Sequence, residues 1–206
     1  MCESSGVPKR VDHDERRRQI AGAVWRIAAG RGLPAATLRE VAAEAGVSMR
    51  LVQYYFGTKE QLLIHAFELG ARAAGERMRL RFSALGHPPT PEEVVRICLL
   101  ELLPTDEDSL LLARVHAAYY AAALTDPALA GADATNPQDQ LESVIVTQLR
   151  AGQEAGVVPA GIDARVEARG LAALAAGLSS TVLVGVRSAA EAVEVMEYQL
   201  RRLFPG

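Results

Sequence analysis

The chain is short of several things that other folds and functions need. Its 206 residues include two cysteines, Cys2 and Cys98, too few for a disulfide scaffold or a cysteine-built zinc site. Aromatic residues make up only 5%, and tryptophan occurs once against 36 alanines. Val, Ile and Thr are outnumbered by Ala, Leu, Glu and Arg, the stronger helix formers, which excludes a β-sandwich, a barrel or an alternating βαβ chain. No apolar run follows Met1, so no signal peptide is expected. The longest uncharged apolar stretch, 170–186, is 17 residues rich in Ala, Gly, Ser and Thr and falls short of a membrane span. Phosphate-loop and nucleophile-elbow patterns are missing. The four histidines, His13, His65, His87 and His116, lack the His-x-x-x-His or Glu-x-x-His spacing of a metal site. The expectation is a cytoplasmic helical protein that is not an enzyme, with no metal, no cofactor and no membrane partner.

What is present is a core and an uneven charge. Hydrophobic residues reach 50% and charged residues 23%, enough to bury a sizeable interior. The net charge of −3 hides an asymmetry: residues 1–60 carry +3 and the remainder −6. Such a split directs attention to a polyanion partner at the N-terminal end.

Helix boundaries are well punctuated. A first helix is predicted from Asp14 to Ala29, with Ile20, Ala23, Val24 and Ile27 on one face. Gly30 and Gly32 stop it, and Pro34 keeps the next residues extended. Thr37-Leu-Arg-Glu40 reads as a capping box opening a second helix that ends at Gly46. Ser48 caps a third, short helix ending near Phe56, and Thr58-Lys-Glu-Gln61 is a second box opening the fourth. Thr90-Pro91 with Glu93 opens a fifth helix, and Pro104-Thr105 separates it from a sixth that runs to Ala123. An irregular zone follows, from Thr125 to Pro137. Helices over 137–156 and 163–185, then one capped by Ser188 and Glu191, complete about nine, with no strand signal.

Residues 38–56 carry the functional signal. Two helices of about eight residues with a glycine between them match the helix-turn-helix arrangement. Ala42 must be small where the two helices cross, and Gly46 can take a positive φ without a Cβ penalty. Val41, Ala45, Val47 and Val52 supply the apolar wedge. Met49, Arg50, Gln53 and Tyr54 are then left to point outward, a set that packing alone does not require. An ordinary αα-hairpin inside a bundle is the competing reading of the same residues.

The run REVAAEAGVSMRLVQYYFGTKEQLL, from Arg39 to Leu63, resembles the signature of the TetR family of bacterial transcriptional regulators. Thr37, Val41, Ala42, Ala45, Gly46, Val47, Ser48, Tyr55, Phe56, Lys59 and Leu62 stand at the family's positions. The Arg-rich start, Ile20, Ala23 and Gly30-x-Gly32 also fit. The likeness covers residues 14–64 in detail and the rest only by length and helix count. Gln53 departs from the tyrosine common at its position; glutamine can donate to phosphate or read adenine instead.

The resemblance implies an all-α fold: an N-terminal three-helix helix-turn-helix DNA-binding domain, 12–72, and a C-terminal helical ligand-binding and dimerisation domain, 73–206. It implies that the third helix enters the major groove of double-stranded DNA. Thr37 and Lys59 would then meet phosphates, and Arg39 and Arg50 would read bases with Met49, Gln53 and Tyr54 assisting. Ser48 caps the reading helix. Tyr55 is open to two roles, core packing or phosphate contact. The implied function is a homodimeric repressor released from a palindromic operator by an unknown small-molecule effector. The alternative is an effector-independent regulator, or an activator working through protein partners.

Two apolar stripes offer a dimer surface: Leu171, Leu174, Leu178 and Val182, and Val193, Met196, Leu200 and Leu203. The same stripes could instead close the monomer's own core. Polar or aromatic groups on otherwise apolar helices are the candidate ligand-pocket residues: Cys98, His116, Tyr119, Tyr120, Thr147 and Ser179.

Overall fold

A computed structural model describes residues 9–124 and 137–205. Among these lie nine α-helices, a single 3-10 turn and no strand. The helices are α1 (Lys9–Arg31), α2 (Leu38–Ala45), α3 (Met49–Phe56), α4 (Lys59–Ser83), α5 (Pro91–Glu101), α6 (Glu107–Ala123), α7 (Pro137–Glu154), α8 (Ala164–Leu183) and α9 (Ala189–Leu203). The irregular zone predicted after Thr125 falls almost wholly outside the described residues. No described helix is long and apolar enough to cross a membrane.

The chain divides into two compact units. One takes in the described parts of Met1–Gly70 and Val115–Ala132, the other those of Ala71–Arg114 and Asp133–Gly206. Helix α4 thus begins in the first unit and ends in the second, while α6 does the reverse.

In the first unit, α1 starts earlier and ends later than its apolar periodicity predicts. Gly30 stays helical, and it is Gly32, at φ 80°, that ends the helix. Pro34 does not extend the chain as predicted; it sits in the 3-10 turn Leu33–Ala35, whose φ the pyrrolidine ring already favours. The core is built from Ile20, Val24 and Ile27 of α1, Leu33, Val41 of α2, Val52 and Phe56 of α3, and Leu62 and Leu63 of α4. The Trp25 indole N–H donates to the Ala66 carbonyl at 2.9 Å, and the Gln19 amide donates to the Ala45 carbonyl at 2.8 Å. These two bonds peg α1 to α4 and to the end of α2.

The second unit is a helical cluster around Val95, Leu99 and Leu103, Ile145 and Leu149, Leu171 and Leu178, and Met196, Leu200 and Leu203. Alanines at 164, 168, 175 and 192 are buried among them and let the helix backbones approach. Close approach also explains Gly152: a Cβ there would lie 2.6 Å from Cγ2 of Val158, where the chain folds back onto α7.

Caps tie three of these helices to pH. Thr90 with Glu93 and Ser188 with Glu191 form complete capping boxes, as their spacing predicts, and Asp163 accepts from the N–H groups of Arg165 and Val166. Backbone N–H donors at Thr90, Val166 and Ser188 hold the carboxyls of Glu93, Asp163 and Glu191 below the usual carboxylate range. A depressed carboxyl stabilises the fold above its unfolded pKa, about 4, and that contribution disappears as pH falls through the folded value. Glu191→Gln is therefore expected to lower the melting temperature at pH 7 and to lower it less at pH 3. Thermal melts at the two pH values check this.

Candidate nucleic-acid interface

The turn between α2 and α3 is made by the backbone. Gly46 adopts φ 66°, in the left-handed region, just past the end of α2. The Val47 N–H reaches the Ala42 carbonyl at 2.9 Å and the Gly46 N–H reaches the Ala43 carbonyl at 3.2 Å. This is the pair of bonds that satisfies the last carbonyls of a helix and turns the chain sharply. Ala42 and Ala45 are buried under it. Ser48 then restarts the helix, its hydroxyl oxygen accepting from the Leu51 N–H at 3.2 Å.

Helix α3 has two unlike faces. Val52 and Phe56 are buried and anchor it, while Met49, Arg50, Gln53 and Tyr54 are exposed, Tyr54 to 73%. Thr37 and Arg39 of the preceding segment are exposed as well. Thr37 accepts from the Glu40 N–H at 3.2 Å, leaving its own hydroxyl proton to donate. The predicted return bond of that capping box is not made, because the Glu40 carboxylate pairs with Arg31 at 2.9 Å. Arg26 pairs with Glu44 at 2.7 Å, a second exposed tie between α1 and α2.

Two residues have more local work than their positions suggested. The half-buried Tyr55 places its hydroxyl 2.9 Å from Nδ1 of His13. The half-buried Lys59 donates to the Pro34 carbonyl at 3.3 Å, with two further ammonium protons remaining. Sequence reasoning passed over His13, whose contact with Tyr55 spans 42 residues and has no local signature.

The residues read as a ligand pocket are spread over the two units. Within the first, His116 and Tyr119 flank Phe67, with ring centroids 6.0 and 4.8 Å away. Tyr119 is buried with its hydroxyl unpartnered, and burial, with Glu68 adding to it, pushes the phenol up. Tyr120 is 62% exposed and His116 is exposed. Within the second, Cys98 is buried, and burial holds its thiol up at about 11, protonated at neutral pH. Ser179 is half-buried. Thr147 is exposed, its hydroxyl donating to the Ser143 carbonyl of its own helix, and it lines only an open groove beside Arg150 and Arg169.

The predicted dimer stripes face largely inward. Leu171, Leu178, Met196, Leu200 and Leu203 are at most 6% exposed within the second unit's own core. Leu174, Val182 and Val193 pack half-buried against it. The five buried side chains close the unit itself, while Leu174, Val182 and Val193 keep part of their surface free.

A two-helix reader with its second helix bared, in a chain whose described residues form helices and no strand, defines a DNA-binding regulator of the helix-turn-helix class. Residues 20–66 match the family model described as bacterial regulatory proteins, tetR family, and residues 91–205 match that of the BetI-type transcriptional repressor C-terminal domain. The chain belongs to the TetR family of transcriptional regulators; it is a regulator and not an enzyme. It is 36% identical over 104 residues to the HTH-type transcriptional regulator PksA of Bacillus subtilis, a match covering 50% of this chain and 49% of that protein. It is 43% identical over 58 residues to the regulator BetI of Rhizobium meliloti, 28% of this chain and 29% of that one. The chain thus spans about half the length of the first relative and less of the second. Among solved structures, a TetR-family regulator from Rhodococcus sp. superposes with a TM-score of 0.84 at 22% identity, over 92% of this chain and 98% of that one. A regulator from Saccharomonospora viridis, solved in complex with choline, gives 0.76 at 26% identity, over 92% and 95%.

Proposed function

We propose that the protein is a homodimeric repressor that binds a palindromic operator and is released from it by a small molecule. The exposed face of α3 carries this reading. Arg39 and Arg50 read base edges, with Met49, Gln53 and Tyr54 beside them. Thr37 and Lys59 take phosphates, helped by the free N–H groups at the start of α2. Ser48 sets where α3 starts, and Tyr55 acts through its contact with His13. The DNA-binding part extends over about 12–72 and the ligand-binding and dimerisation part over 73–206.

The dimer surface is the outward face of α8 and α9 rather than their apolar stripes. Val166, Gly170, Ala173, Gly177, Ser180 and Val184 follow one another at helical spacing and are all exposed. A row of small residues lets a symmetry-related helix approach closely, and Tyr198 of α9, 54% exposed, adds area beside it. The ligand belongs among α5 to α8; the choline complex of the Saccharomonospora viridis neighbour supports a small-molecule site in such a fold. A ligand that prefers the conformation with misplaced reading helices shifts the population away from DNA.

Gly177→Arg tests the assembly. A Cβ at Gly177 meets nothing within 4 Å, so the monomer tolerates the change. Sedimentation is expected to show monomers, with operator affinity lower by at least about tenfold, since one reader makes half the contacts. A dimer that survives would place the interface elsewhere. Release is tested by titrating ligands, choline first, against operator binding. Weaker binding supports the switch, and unchanged affinity with ligand demonstrably bound rejects it.

A further inference from the structure

Three successive arginines, Arg16, Arg17 and Arg18, lie on α1, and the helix rotation of about 100° per residue sends them in three directions. Arg16 donates to the Gln19 carboxamide oxygen at 2.7 Å, and Gln19 in turn holds the Ala45 carbonyl, so this arginine serves the turn before α3. Arg18 lies 3.6 Å from Glu15, both well exposed. Arg17 does neither. It lines an open recess of about 690 Å³ together with His13, Asp14, Tyr54 and Tyr55.

This recess is built from two helices. His13 and Arg17 are one turn apart on α1 and share a face. Tyr54 and Tyr55 close the other side from α3, their rings edge to face at 5.3 Å, and the Tyr55 ring meets the His13 ring at 5.6 Å. The bond between Tyr55 and His13 fixes the floor. The donors offered are the Arg17 guanidinium, a His13 ring nitrogen and the Tyr54 hydroxyl, and the Asp14 carboxylate opposes them. An anion fits this donor set. Its position selects which anion, because Tyr54 belongs to the exposed face of α3, beside Gln53 and one turn after Arg50.

We infer that the first turns of α1 belong to the DNA interface: Arg17, with His13 and Tyr54, takes a backbone phosphate flanking the groove that α3 enters. This rests on the DNA-binding reading above. The contact carries no sequence information itself; it fixes the register of α3 on the duplex. His13 also sets, through its bond to Tyr55, where the recess wall stands.

The test is operator binding by the full-length protein, followed by fluorescence anisotropy over a salt series. Losing one phosphate contact per subunit lowers the steepness of log K against log salt by about 0.9 for each copy, or about two for a dimer. Arg17→Ala is expected to show that drop, with several-fold weaker binding and an unchanged ratio of operator to scrambled DNA. Arg17→Lys restores the slope. Asp14→Asn tightens binding, the opposite sign to a merely structural loss. Arg18→Ala removes the same charge one residue around the helix and leaves the slope near wild type. Equal slopes for Arg17→Ala and Arg18→Ala, or no change with Arg17→Ala, overturns the assignment. Wild-type protein that ignores its selected operator overturns the DNA-binding reading itself, a result distinct from either.

Discussion

Glu101→Ala is expected to cost about 3–5 kcal/mol of stability, the penalty for leaving buried charge without its partner. The Glu101 side chain is only 2% exposed at the end of α5. Arg77 of α4 donates to its Oε1, and the Arg81 Nε lies 3.3 Å from Oε2, a charge contact whose alignment falls short of a hydrogen bond. Arg77 is itself only 24% exposed, so removing the carboxylate strands a guanidinium that water reaches poorly. The same guanidiniums lie near Asp106, whose carboxyl is held down first by the Ser109 N–H and then by Arg77 and Arg81. Urea unfolding measures the loss. The double variant Glu101→Leu with Arg77→Met, which replaces the pair by apolar volume, is expected to recover most of it. A single variant as stable as wild type would show that water already screens the pair.

Arg50→Ala is the second large effect, and it falls on recognition rather than stability. Arg50 is exposed on α3 within the first two residues after its cap, at the end that a reading helix presents to base edges. An arginine bidentate to guanine provides about 1–3 kcal/mol of discrimination, so preference at one operator position should collapse by roughly five- to 150-fold. Affinity for scrambled duplex should change far less, and the melting temperature should not move. Lys59→Ala should do the reverse, weakening all sequences alike, because a phosphate contact positions without specifying. Competition binding against single-base operator variants separates the two. Equal losses on operator and scrambled DNA for both variants would remove Arg50 from base reading.

The parts legible in the sequence were those decided within a few residues. Gly46 needed φ > 0 and has it; Thr90 with Glu93 and Ser188 with Glu191 needed only each other. Thr37 had the same spacing, but Glu40 was drawn off by Arg31, a partner supplied by a separate helix. The stripes through Leu178 and Leu200 are apolar as their spacing shows, and these two side chains are buried within their own unit. Periodicity reports which face is buried, and it does not say whether the cover is the same chain or another. Small residues such as Gly170 and Gly177 leave almost no hydropathy signal, so the outward face of α8 went unread. Thr147 could have been placed: it lies about 200° around the helix from both Ile145 and Leu149, the buried side of α7. Nothing local announced the recess at Arg17, since His13 meets Tyr55 across 42 residues.

Selection of binding sites from random duplex DNA tests the central claim, that the bared face of α3 reads a groove twice in one symmetric complex. The account predicts enrichment of a palindrome whose half-sites lie about one helical turn or more apart, with Arg50→Ala relaxing the same position in each half. Recovery of no common sequence, at low ionic strength and with folded dimeric protein, would contradict it.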